Sequence, residues 1–142
     1  MFVRRAKDQD FVCIKRLLEQ ATYNVADYSL DLRSDFDYRL MINKGFCYVA
    51  ESNSGIIAII LAEEVNKEIV LDFFTVAYNC RGFSVMEKML TEFLWCVPNR
   101  VIIGNVFPGN HVAIRILQKC KFRHVDTIEL IGGKIRYVFR FN

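Results

Sequence analysis

The feature of this sequence that most restricts its fold is the stretch Glu68–Ala77 (EIVLDFFTVA), a nearly continuous apolar run with one internal acid, Asp72. Such a run is typical of a strand that is buried on both faces of a sheet. Tyr78–Ser84 then break the apolar pattern, and Val85–Trp95 place apolar residues at helical spacing. A further strand is indicated at Arg100–Val106. The sequence therefore predicts a strand–loop–helix–strand unit at the centre of an α/β domain.

Elements predicted on both sides of this unit complete the domain. Before it we expect a strand over Phe2–Arg5 and a helix capped by Asp8 or Asp10, with the apolar residues Phe11, Ile14, Leu17 and Leu18. A loop over Thr22–Asp31 follows, and then a helix that has the apolar residues Phe36, Leu40 and Met41 and ends at Gly45. A hairpin of Phe46–Glu51 with Ile56–Glu63 comes next. After it we expect a helix from Asn110 to Cys120 and a closing hairpin of Phe122–Leu130 with Ile135–Phe141. The predicted order is β-α-α-β-β-β-α-β-α-β-β, within one α/β (α+β) domain spanning residues 1–142.

Charge and cysteine content restrict the partners and the compartment. The formal net charge is +3, and the basic residues are scattered, which favours a mixed solvated surface. A nucleic-acid or other polyanionic partner is the alternative. The cysteines number five and include no C-x-x-C pair, which indicates reduced thiols and a cytoplasmic location. The sequence has no apolar run long enough to cross a membrane, so we expect no membrane partner.

The loop Tyr78–Ser84 is the first candidate binding element. A strand that leads through a loop into a helix start exposes several backbone N–H groups together, and these groups and the helix dipole favour a phosphate. Gly82 provides backbone freedom, and Arg81 is able to pair with a phosphate. From these residues alone, an ordinary strand–helix turn with a surface arginine is the favoured alternative.

Two motifs make the whole chain resemble the Gcn5-related N-acetyltransferase (GNAT) superfamily. The family's loop pattern is Q/R-x-x-G-x-G/A, and the corresponding window is Arg81–Met86, in which Arg81 and the following Gly82 fit while Ser84 and Met86 depart from the small residues. The second motif is Asn110–Phe122, in which these residues fit: Asn110, Ala113, Ile114, Arg115, Lys119 and Phe122. Leu117 stands where many members have a tyrosine that protonates the leaving thiolate, and Lys121 where glycine is usual.

The resemblance implies a GNAT-like mixed sheet flanked by about four helices, and acetyl-CoA or another acyl-CoA as cofactor. Its pyrophosphate would rest on the loop after the fourth strand, and its pantetheine arm would pair with the backbone of that strand. The cofactor-binding residues implied are Phe74, Val76, Arg81, Gly82, Phe83, Ser84, Val85, Met86 and Asn110. Asn110 has capping of its own helix as the slightly preferred alternative. We expect Met86 to pack into the core with Phe93 and Val101, which leaves the amides beside Arg81 open.

Acyl transfer to an amine requires that the amine lose a proton. Asp72 is the leading candidate base, because it is an acid inside an apolar strand, where burial would raise its pKa. Simple alternation places Asp72 on the face of Phe74 and Val76, and a buried acid paired with an arginine is the alternative role. Glu68 ranks below it. Tyr78 is the candidate proton donor for the thiolate, while Cys80, Cys120, His111 and His124 are expected to be packing, surface or cap residues.

The function predicted from the resemblance is N-acyl transfer, most simply from acetyl-CoA to a primary amine by direct attack. The acceptor is an unidentified amine. One alternative is a binding or structural module that keeps the fold without turnover, as in small phage virion proteins with a GNAT-like fold. Met86, Leu117 and Lys121 support that alternative. The other alternative is a modifier of nucleic acid or protein.

Overall fold

The computed structural model describes residues 1–24, 34–80 and 83–142, and of residues 21–24, 78 and 83 it describes the backbone. The elements are β1 (Phe2–Arg5), α1 (Phe11–Asn24), α2 (Asp35–Lys44), β2 (Tyr48–Ser52), β3 (Gly55–Val65), β4 (Glu68–Val76), α3 (Phe83–Cys96), β5 (Ile102–Val106), α4 (His111–Lys119), β6 (Arg123–Glu129) and β7 (Ile135–Phe141), with short 3₁₀ turns at Asp8–Asp10 and Tyr78–Cys80. The element order predicted from the sequence is confirmed.

The strands form one mixed sheet in the order β1-β2-β3-β4-β5-β7-β6. Neighbouring strands are antiparallel except β4 and β5, which are parallel because α3 carries the chain back between them. The hairpin partner β7 lies between β5 and β6, so β6 forms one edge of the sheet and β1 the other. The predicted mixed α+β architecture is confirmed.

Helices cover the sheet on both faces. The buried residues of α3 and α4 share one apolar cluster with β3, β4 and β5, and Phe93 of α3 is fully buried there. The buried residues of α1 and α2 share a second cluster with β2 and β3, which contains the predicted apolar face of α1. Residues at helical spacing on α1 therefore pack as one stripe against the sheet.

The second helix ends at Gly45, as predicted, and of the three residues expected on its apolar face it buries only Met41. Gly45 ends α2 in the left-handed conformation, with φ of 92°. Tyr38, Met41 and Ile42 are buried, whereas Phe36 and Leu40, which were expected in the apolar face, are 72% and 44% exposed. These two sets lie on different sides of one helix, and the sheet lies against only one of them.

The first helix is longer than predicted. It continues to Asn24, past Thr22, where the sequence predicted a loop. Positions 25–31 of that predicted loop lie outside the described residues. Within the described ranges, no helix is long and apolar enough to span a membrane.

A half-buried ion cluster ties the first strand to its neighbours. Arg4 of β1 donates to both carboxylate oxygens of Asp10 at 2.8 and 2.9 Å and to Glu51 of β2 at 2.9 Å. The backbone N–H of Lys7 also donates to Asp10, at 2.7 Å, so Asp10 caps the turn as one of the two predicted acids. The hydrogen bonds from Arg4, followed by the one from Lys7, hold the pKa of Asp10 below its usual value.

Candidate functional site

The central parallel strands pair over only part of their length. Ile69, Val70 and Leu71 of β4 pair with Ile102, Ile103 and Gly104 of β5, and the pairing ends there. Both strands continue, β4 to Val76 and β5 to Val106, and β4 stays paired with β3 as far as Val76. We call the space between Asp72–Val76 and Asn105–Val106 the β4–β5 gap. Along this gap, β4 forms no strand pair with β5.

A β-bulge lies at the closed end of this gap. Leu61 of β3 pairs with Phe73 and the next residue, Ala62, pairs with Leu71, so Asp72 is the extra residue of β4. As a result Leu71 and Phe74 both belong to the cluster under α3 and α4, while Phe73 belongs to the other cluster. Phe74 and Val76 belong to the same cluster, as alternation predicts, and the face of Asp72 stays a prediction.

Asp72 is half-buried and is the first residue of β4 beyond the last pair with β5. The leading candidate base therefore lies where the gap begins. Glu68 lies at the start of β4, one of its carboxylate oxygens 3.8 Å from Arg140 of β7, on the paired side of the bulge. Phe74 and Val76, the predicted contacts of the pantetheine arm, lie in the part of β4 that pairs with β3 and not with β5.

Gly104 and Leu117 pack together at the closed end of the β4–β5 gap and form what we call its floor. Gly104 is the last β5 residue paired with β4, and a Cβ atom added to it would lie 3.2 Å from Cδ2 of Leu117. Leu117 of α4 is 7% exposed, so its side chain fills this space with a group that has no proton to donate. The sequence reasoning did not single out Gly104. A glycine inside a strand often marks such a close approach, and this was the available signal.

The predicted phosphate loop is described in part. The 3₁₀ turn Tyr78–Cys80 follows β4 directly, and α3 begins at Phe83. Arg81 and Gly82 lie outside the described residues, as do the side chains of Tyr78 and Phe83. Because the first amides of a helix have no acceptor within it, the start of α3 offers N–H donors beyond the carboxyl end of β4.

The first residues of α3 differ in how far they are exposed. Ser84 is exposed, while Val85 and Met86 are half-buried and pack against the cluster under α3 and α4. Met86 was expected to be buried in the core. It packs toward the core and keeps part of its surface exposed, because it lies in the first turn of the helix. Met89 and Leu90, one turn later, are fully buried.

Asn110 begins α4 as its cap. Its side-chain oxygen accepts the backbone N–H of Ala113 at 3.2 Å, which confirms the capping role. Among the other candidates, Cys120 is buried, and desolvation raises the pKa of its thiol, as expected of a packing cysteine. His111 is exposed at the start of α4, and His124 is exposed on β6.

No protein-family model matches the sequence, and no curated protein matches it. Solved structures, by contrast, are similar over nearly the whole chain. Ribosomal-protein-alanine N-acetyltransferase from Brucella melitensis superposes with a TM-score of 0.83 at 17% identity, covering 99% of both chains. A GNAT-family acetyltransferase from Bacillus cereus gives 0.82 at 15% identity, covering 99% of this chain and 96% of that one.

A third similar structure was solved with a ligand. Naa50 from Arabidopsis thaliana, in complex with the bisubstrate analogue CoA-Ac-MVNAL, superposes with a TM-score of 0.74 at 20% identity, covering 99% of this chain and 97% of that chain. In these three comparisons the superposition runs from end to end and the sequence identity stays at or below 20%. The chain therefore has the fold of the Gcn5-related N-acetyltransferase superfamily, as its two sequence motifs predicted.

Proposed function

We propose that this protein is an N-acetyltransferase that transfers the acetyl group of acetyl-CoA to a primary amine by direct attack. The observation that carries the proposal is the β4–β5 gap, which opens beyond the pair Leu71–Gly104. It combines a strand edge that is not paired with β5, a half-buried carboxyl group and a nearby helix start. A cytoplasmic location with reduced thiols fits this activity.

The donor set at the gap fits the cofactor. The pantetheine arm of acetyl-CoA contains amide groups, and the edge of β4 at Phe74–Val76 offers backbone N–H and C=O groups that pair with amides in the way a neighbouring strand would. A backbone N–H of the same edge is suited to hydrogen-bond the thioester oxygen and stabilise its developing charge.

The pyrophosphate is assigned to the loop and the start of α3. The backbone N–H groups of Phe83, Ser84 and Val85 lie in the first turn of this 14-residue helix, where the dipole favours an anion. Arg81 and Gly82, directly before the helix, are assigned the phosphate contacts that their chemistry suits. Met86 would contribute packing beneath this loop, because its side chain contacts the core.

Asp72 is assigned the role of general base. When bound, acetyl-CoA would supply the activated thioester carbonyl, and the attacking amine must be neutral. The carboxylate of Asp72, at the closed end of the gap, would accept the proton of the ammonium group directly or through one water. The thiolate proton is assigned to Tyr78, because Leu117 carries no proton donor. The bisubstrate complex of the similar Naa50 structure supports placing donor and acceptor in one site.

A second candidate function rests on Leu117. Its side chain is buried against Gly104, where the family resemblance implies a proton-donating tyrosine. This favours, as the alternative, a module that binds acyl-CoA and does not turn it over. The two candidates share the cofactor and differ only in the release of free CoA.

The test combines binding with turnover. If acetyl-CoA binds the folded protein, a concentration of 100 times its dissociation constant should raise the free energy of unfolding by about 2.7 kcal/mol. Desulfo-CoA should stabilise almost as much, because it keeps the phosphates. Release of free thiol with a panel of amines then separates the enzyme from the binding module. No stabilisation by millimolar acetyl-CoA would contradict both candidates.

A further inference from the structure

One face of the sheet carries partly exposed polar side chains beside the β4–β5 gap. On β5, Gly104 faces Leu117 of α4, so its neighbours Ile103 and Asn105 face the opposite side, where α1 and α2 cover β3 and β4. Paired residues of neighbouring strands share a face of the sheet. Arg140 and Val138 of β7 pair with Ile103 and Asn105, so they lie on this same face. Asn105 is exposed, and Arg140 is half-exposed. We call this surface the β5–β7–β6 face.

Three arginines lie on this face. Arg140 pairs directly with Arg123 of the edge strand, and Arg136 pairs with Ile128. Like charges directly opposite each other destabilise a sheet unless a counter-charge is present. Such a cross-strand arginine pair therefore favours an anion on the face.

The described residues neutralise this charge only in part. A side-chain nitrogen of Arg140 lies 3.8 Å from Glu68, in a pair whose side chains are 40% and 38% exposed. Arg136 has its guanidinium carbon 5.5 Å from the centre of the Phe107 ring, and Arg123 donates to the amide oxygen of Asn142 at 3.3 Å. Within residues 1–24, 34–80 and 83–142, neither Arg123 nor Arg136 has a carboxylate at ion-pair distance. The face therefore has cationic groups available to a ligand.

The arginines lie within reach of the gap. Arg140 is two strands from β4, through Ile103 and Val70, which corresponds to about 10 Å. Arg136 lies four residues further along β7, on the other side of Val138. An extended peptide advances about 3.3 Å per residue, so its third or fourth residue would reach β7 if its first residue were in the gap.

We propose that the β5–β7–β6 face binds the acceptor, and that the acceptor is an acidic peptide. This inference rests on the proposed function and specifies its substrate class. The N-terminal amine enters the gap beside Asp72, and carboxylates at about the second to fourth residues contact Arg136 and Arg140. Asn105, exposed between the two arginines, is positioned to hydrogen-bond the peptide backbone.

The chemistry of the face favours a peptide over a nucleic acid. Ile128 is apolar, exposed and paired with Arg136, and Asp126, the strand partner of the buried Val138, places a carboxylate on the same face. Glu68 adds a second one beside Arg140. A phosphate backbone would meet these carboxylates at close range, whereas an acidic peptide alternates side chains and leaves room for apolar contacts.

The test uses three peptides of equal length with a free N-terminal alanine and no lysine other than in the basic one. Positions two to four are acidic (Asp-Glu-Glu), amide-matched (Asn-Gln-Gln) or basic (Lys-Arg-Arg). Peptide binding is measured by fluorescence anisotropy, acetylation by free-thiol release, and acetyl-CoA binding by calorimetry on the same samples. We expect the acidic peptide to have the highest kcat/KM and the tightest binding, with the preference decreasing as salt rises.

Two arginine variants test whether the preference for the acidic peptide depends on this face. Arg136→Gln and Arg140→Gln should each reduce the ratio of acidic to amide-matched kcat/KM by about two- to fivefold, as expected for exposed charge pairs. Lys88→Gln is the control, because it removes one exposed positive charge from α3 on the other side of the sheet. It should leave the ratio unchanged.

The outcomes separate this inference from the proposed function. Equal acetylation of acidic and amide-matched peptides, or an unchanged ratio in both arginine variants, would overturn the acidic-acceptor inference and leave the transferase standing. The inference would also be overturned, in favour of a nucleic acid, if a single-stranded oligonucleotide of equal charge bound more tightly than the acidic peptide and Arg136→Gln weakened that binding. A protein that binds no acetyl-CoA in calorimetry would instead overturn the proposed function.

Discussion

Asp72 is the extra residue of the β4 bulge and lies at the closed end of the β4–β5 gap. We predict that Asp72→Asn lowers turnover about 10²–10⁴-fold and leaves the dissociation constant of acetyl-CoA unchanged, because the amide cannot accept the proton of the attacking amine. Steady-state kinetics and calorimetry check the two parts. The matched control is Glu64→Gln, an acid of β3 that pairs with Arg100 and should keep its turnover. Full activity of Asp72→Asn would assign the proton to water instead.

Gly104 permits the close approach of Leu117 at the floor of the gap. We predict that Gly104→Ala lowers the free energy of unfolding by about 1–2 kcal/mol, because the new methyl group would lie 3.2 Å from a buried leucine methyl. Urea unfolding measures the effect. Gly109→Ala is the control, since a Cβ there meets no atom within 4 Å, and it should be neutral or stabilise by up to about 1 kcal/mol. Equal effects of both substitutions would show that Leu117 has room to move.

At the scale of elements, the start of α4 depends on one side chain. Asn110 accepts the N–H of Ala113, and we predict that Asn110→Ala costs about 1 kcal/mol of stability, while Asn110→Ser retains most of it. Thermal unfolding and acetyl-CoA titration of both variants distinguish the cap from a cofactor contact. An acetyl-CoA affinity that falls in both variants would mean that Asn110 also holds the pantetheine arm.

The first strand is held by the ion cluster of Arg4, Asp10 and Glu51. Because the pKa of Asp10 is lowered in the folded protein, mainly by Arg4, its stabilisation is complete above the unfolded value of about 4 and is lost as pH falls through the lowered value. We predict that the free energy of unfolding decreases below about pH 4 and that Asp10→Asn largely removes this decrease. The same substitution should lower the free energy of unfolding at pH 7 by about 1–3 kcal/mol.

The control for this pH dependence is Asp35→Asn. Asp35 pairs with Lys15 at 3.1 Å, but both side chains are substantially exposed, so its removal should change stability little at any pH. Urea unfolding between pH 2 and pH 7, roughly the range in which carboxyl groups titrate, provides the comparison. A pH dependence that Asp10→Asn leaves intact would assign it to other carboxylates.

At the scale of the whole molecule, the gap should appear in hydrogen exchange. Beyond Leu71, β4 forms no pairs with β5, so amides of this part of β4 that point toward β5 should exchange faster than amides between β2 and β3. Added acetyl-CoA should raise protection at Asp72–Val76 and in the first turn of α3, beyond the uniform rise that binding gives to globally exchanging amides. Residue-resolved NMR measures this. Local protection confined to β6 and β7 would contradict the gap as the cofactor site.

Local sequence signals predicted the elements well. Gly45 ends α2, Asn110 begins α4, and the apolar spacing of α1 matches its buried face, because caps and periodicity act within a few residues. The two half-kept motifs also led to the fold that the structural comparisons support. For α2, two apolar sets on one short helix were open to burial, and local spacing could not choose between them.

The sequence by itself determined the order of helices and strands, where most of them begin and end, and the residues that form a candidate loop. Only the tertiary structure decided that β4 separates from β5 after Leu71, that Asp72 lies in the bulge at that point, and that Arg140 and Arg123 face each other beside the gap. The physical reason is the distance along the chain that separates the residues involved. Strand register and the meeting of side chains 20 or more residues apart depend on how both faces of the sheet pack, and no local pattern encodes that packing.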